Sequence, residues 1–131
     1  MSKYAVEMKA HLDGAISNLQ AAKESLEGGQ QEAAASRAAK AAFHTGSLLL
    51  LDEELAPEEL GDVITLIQEL FVNRRRLTKE QGGNLSWLFA LRNAEDGGKT
   101  MPVSSEETRK AVEIAESFFD AAKVILEARR G

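Results

Sequence analysis

The chain has 131 residues, 44% hydrophobic and 28% charged, with no cysteine and a formal net charge of -5. That length suits one domain with its own core, expected to span residues 1–131. The missing cysteines exclude disulfides, thiolate metal sites and a cysteine nucleophile, and the acidic balance excludes a general nucleic-acid coat protein, which needs clustered Lys and Arg.

From Tyr4 to Leu26 the apolar residues Tyr4, Met8, Leu12, Ile16, Leu19 and Leu26 recur at helical spacing, with Ala15 and Ala22 on the same face. Gly28-Gly29 ends this first helix. A second helix is expected from about Gln30 to Asp52, its first half built from Ala34, Ala38, Ala41 and Ala42, which lets a neighbouring axis come close. Pro57 followed by Glu58 and Glu59 reads as the start of a third, short helix carrying Leu60, Val63, Ile64, Ile67, Leu70 and Phe71. "NRRRLTK" at 73–79 is the densest basic run; it offers phosphate contacts, or it complements the carbonyls at a helix end, and the second reading is preferred. "TKEQ" at 78–81 has capping-box spacing, although Gly82-Gly83 could delay the fourth helix to Asn84. Leu85, Leu88 and Phe89 form its apolar face, and Arg92 falls in line with them, where a desolvated guanidinium needs an anion, a carbonyl or a partner surface. After "NAEDGGKTMP", Ser104 and Glu107 make another capping box, and Ala111, Val112, Ala115, Phe118, Phe119, Ala122, Ile125 and Leu126 carry a fifth helix.

With no strand-like alternation and no repeat, the fold class is all-α: an antiparallel up-and-down bundle of four long helices and one short one. Trp87, Phe118 and Phe119 are core residues first, and candidates for a dimer interface second. No apolar run approaches the about 20 residues of a spanning helix, so a membrane role is not expected and the cytoplasm is the default location.

Di-iron bundles carry Glu-x-x-His on two helices, and neither His11 nor His44 has a Glu three positions before it, so no metal is expected. "EGGQ", "QGGN" and "EDGG" lack the spacing and ending of a phosphate loop. Arg37 and His44, seven positions apart in "SRAAKAAFHTG", would stand at nearly the same angle and roughly 10 Å apart along a helix. They could bracket a phosphodiester, with the imidazole as base. The plainer reading has Arg37 paired with a carboxylate, His44 bonded to a neighbouring helix, and His11 as a boundary residue beside Leu12.

The segments "SRAAKAAFHTGSLLL", "DVITLIQELFVNRRRL", "LSWLFALRNAEDGG" and "SSEETRKAVEIAESFFDAA", in this order over almost the whole chain, resemble the HEPN domain family, and most of all its small stand-alone UPF0332-like branch. The resemblance implies a helical homodimer and a frequent partner, a minimal nucleotidyltransferase, in toxin-antitoxin or stress-defence modules. It also implies, for many members, metal-independent ribonuclease activity without a cofactor, from an Arg followed after four to six positions by His. Arg92-Asn93 matches the start of that signature, but Gly97, Gly98 and Lys99 stand where the His belongs, and no histidine follows residue 44. Loss of the base costs about 10²- to 10⁴-fold of catalysis. The tyrosine that the partner modifies in some members is missing too. The resemblance therefore implies a noncatalytic module whose ligand site holds Arg92, Asn93 and Asp96, contacting a nucleotidyltransferase, a nucleotide or RNA. The alternative is a ribonuclease of altered design using Arg92, His44 and Arg37; Arg37 and His44 satisfy the spacing but lie on the second helix.

Overall fold

The alanine-rich segment forms the axis around which the other helices pack. The computed structural model describes residues 3–96 and 104–130, apart from the side chains of 92–96 and 130. Among these the chain forms five helices and no strand: α1 (Ala5–Glu27), α2 (Gln31–Asp52), α3 (Leu60–Ile67), α4 (Lys79–Asp96) and α5 (Ser105–Arg130). Ala34, Ala38, Ala41 and Ala42 of α2 are fully buried at 0% exposure, so the small side chains stand where axes approach most closely. The second half of α2 is enclosed on every side, because all seven residues from Thr45 to Leu51 are buried.

Helix directions follow from polar contacts at the two ends. Gln31 Nε2 donates to Ser105 Oγ, which puts the starts of α2 and α5 together. Arg129 reaches Asp52 Oδ2 at 3.3 Å and Glu53 Oε2 at 3.1 Å, which joins their ends, so the two helices run the same way. α1 enters α2 through the Gly28-Gly29 turn and runs opposite to it. Arg76 Nη1 lies 2.7 Å from Glu53 Oε1, so α4 begins beside the end of α2 and also runs opposite. The result is the all-α antiparallel bundle with α3 as its short member.

The caps at 78 and 104 form as their sequences suggest. Thr78 Oγ1 accepts from Gln81 N at 3.0 Å while Thr78 N donates to Gln81 Oε1 at 2.8 Å, so α4 starts at Lys79 and carries both glycines inside it. Ser104 and Glu107 make the same reciprocal pair at 3.1 and 3.2 Å. α3 starts later than Pro57 indicates. Glu54 takes a left-handed conformation at φ 62, the connection runs on past the proline, and extended Glu59 (ψ 143) is the last residue before the helix at Leu60.

α3 continues into a π-helical turn, Gln68–Val72, whose wider loop brings Gln68 Nε2 to Gly82 O at 2.9 Å and Ser86 Oγ at 3.1 Å. Gly82 permits this contact: a Cβ there would stand 2.9 Å from both Gln68 Oε1 and Val72 Cγ2. The basic run follows the π turn. Arg75 is left-handed at φ 61, and Arg76 lies over the Phe71 ring with its guanidinium carbon 4.4 Å from the centroid.

Candidate functional site

Two places carry the candidate residues. The first is the end of α4, where Arg92 stands one turn beyond Leu88, a residue at 0% exposure. Asn93 is the next residue and Asp96 lies one turn past Arg92, closing the helix. The side chains of all three, and Gly97, Gly98 and Lys99, lie outside the described residues.

The second is the seam between α1 and α2. His11 and His44 approach with Nδ1 to Nδ1 at 3.0 Å, a hydrogen bond between half-buried rings. Their centroids are 5.2 Å apart, close to the most that this nitrogen distance allows, so the two atoms face each other end-on as donor and acceptor. In a chelate the two lone pairs would instead converge on a third point. Among the described residues, no three of His, Cys, Asp and Glu group as metal ligands. Phe43 packs edge-on against both rings, with centroids 6.5 Å from His11 and 6.0 Å from His44.

Gly14 makes room for this pair. A Cβ at that position would stand 2.8 Å from His44 Cε1 and 2.9 Å from Cδ2 and Cγ, so a glycine inside α1 is what admits the ring. One turn on, Asn18 Nδ2 donates to Gly14 O at 2.8 Å, and its Oδ1 accepts a long bond from Arg37 Nη1 at 3.5 Å. Arg37 therefore contacts an amide of α1 where a carboxylate was expected, and His44 bonds to the neighbouring helix.

Beside His11 lies a cleft of about 350 Å³, lined among others by Tyr4, Glu7, Phe43, Ser47 and Glu58. Its only charged lining groups among the described residues are the two carboxylates, which disfavour a phosphate there. Burial lowers the pKa of His11, favouring the neutral ring. Ser47 Oγ, also buried, has no hydrogen-bond partner among the described residues. The meeting of the two histidines is what reading the chain linearly missed. Its one signal is Gly14, three positions after His11 in an otherwise strong helix-forming segment.

Comparison with known proteins agrees with this architecture. The family model described as "HEPN domain" matches residues 8–125, which takes in the histidine pair, the end of α4 and most of α5. A protein of Methanocaldococcus jannaschii named "Putative toxin MJ0605" is 32% identical over 120 residues, covering 92% of this chain and 89% of its own. With the bundle, the helix order and a match over nearly the whole length in agreement, the chain belongs to the HEPN domain family.

Proposed function

We propose that this protein is a noncatalytic HEPN-type interaction module, acting as a homodimer that binds a minimal nucleotidyltransferase, a nucleotide or RNA through Arg92, Asn93 and Asp96. The observation that carries this reading is the pairing of a retained Arg92-Asn93 at the end of α4 with the lack of any histidine after residue 44. An arginine without its base can hold phosphate or carboxylate charge but has no imidazole beside it to move a proton. The name of the Methanocaldococcus relative supports a toxin-antitoxin setting.

The alternative, an endoribonuclease using Arg92, His44 and Arg37, is favoured by that same name. The bond between His44 and His11, and the acidic cleft beside it, speak for the binding module. Copurification of the native protein from its own cells tests the first reading. A nucleotidyltransferase, nucleotide or RNA should accompany the wild type and be lost with Arg92→Ala at unchanged melting temperature; purification of the wild type without any of them would sink it. Incubation with total RNA in chelator tests the second: cleavage abolished by His44→Ala would make the protein an enzyme.

A further inference from the structure

We propose that the His11–His44 bond is an acid-sensitive clasp, holding the N-terminal half of α1 on α2 while at most one ring is charged and releasing it when both are. This inference is independent of the α4 site. It rests on the end-on approach at 3.0 Å, on the glycine that seats His44, and on the shallow burial of this part of α1.

The proton count follows from the geometry. In the neutral pair one Nδ1 donates and the other accepts. A first added proton can go to Nε2 of the donating ring and leave the bridge intact, strengthened by charge. The second ring has only its accepting Nδ1 left to protonate. Its protonation replaces the bond with two N–H groups facing each other on two like-charged, half-buried rings.

Among the described residues, the charged groups near the pair leave the lost acceptor unreplaced. Glu7 of α1 and Glu58 of the α2–α3 connection line the cleft beside His11 with the Tyr4 ring, and they favour the first charge. Neither carboxylate restores the lost acceptor. On α2 itself Lys40 and Arg37 stand one and two turns before His44, both exposed, and add positive charge. On α1 the exposed Asp13 is engaged by Lys9 at 3.1 Å.

Before Ala15, the first fully buried residue of α1, the helix packs only through half-buried positions, among them Met8, His11 and Leu12. Such a segment opens locally at low cost, so one bond weighs heavily in its balance.

The test is amide hydrogen exchange of residues 8–14 in the full chain, corrected for intrinsic rates. The open form binds one proton more than the closed form. With histidine's ordinary value of about 6.5, the opening constant should rise about tenfold between pH 7.5 and 5.5, where Asp and Glu stay charged. His11→Gln and His44→Gln should each flatten that rise. A second measurement needs no variant: NMR titration of the two rings in the wild type should find one still neutral at pH 5.5. Both rings charging at or above pH 6 in the folded protein would overturn the clasp, as would exchange that does not change across the range.

Discussion

Gly14 shows how a single residue can reverse an ordinary rule. Within an exposed helix, replacing glycine by alanine is usually stabilising by about 1 kcal/mol, because it removes backbone freedom from the unfolded chain. Here the new methyl would meet the His44 ring at 2.8 Å, and that ring is held in place by His11. Gly14→Ala should therefore destabilise the protein by about 1–3 kcal/mol, the usual range for an overpacked contact. Urea unfolding measures it, and the paired variant Gly14→Ala with His44→Ala should recover most of the loss. If the single variant is instead more stable, the close seat is not the reason for glycine at 14. From the sequence, His44 was legible as a residue bonded to a neighbouring helix and His11 as a boundary residue beside Leu12, but not as each other's partner. Their meeting depends on how α1 and α2 rotate against each other, which periodicity leaves open by tens of degrees.

At the scale of elements, the end of α2 gathers the approach to α4 and the end of α5. Glu53 takes Arg76 at 2.7 Å and Arg129 at 3.1 Å, and its carboxyl is held below its usual range, chiefly by the hydrogen bond from Arg76 and then by the charge of Arg129, against the opposing effect of burial. A carboxylate whose folded value is depressed adds stability above its unfolded value and loses it as pH falls through the folded one. Glu53→Gln should be less stable at neutral pH, and its stability should fall less steeply than that of the wild type below about pH 4.3. Denaturation curves at pH 7, 4 and 3 separate these outcomes; parallel wild-type and variant profiles would mean that the ion pairs are fully screened by solvent. This window lies below that of the histidine clasp, so the two effects can be measured apart. Helix existence, type and order were legible from apolar spacing and from the two capping boxes, since Thr78 with Gln81 and Ser104 with Glu107 act over three residues. The π turn at Gln68–Val72 was not, because it answers to a neighbour fourteen positions away in Gly82.

For the whole molecule, family membership rests on segments spread over residues 8–125, and no single helix carries it. The chain is net acidic, and position 92 of the proposed ligand site lies at the opposite end of α4 from the basic run at 73–79. Recognition through Arg92 predicts a particular salt response: if RNA is the ligand, affinity should fall only weakly with ionic strength, as for one or two phosphate contacts, and a slope of many charges would implicate the distant basic run instead. Binding isotherms at two salt concentrations decide between them. At position 92 the sequence alone shows a cation in line with an apolar stripe, which needs a counterpart when desolvated. Under the proposed reading that counterpart is a ligand or a second chain, and a linear pattern of one chain does not encode which.

The enclosed half of α2 limits how this sequence can vary. A helix with one face in water tolerates change at every third or fourth position, but Thr45–Leu51 has no such face. Saturation mutagenesis should find there an unbroken block of seven intolerant positions with no helical rhythm. Lasting change in that block would then have to come in steps matched by the helices around it.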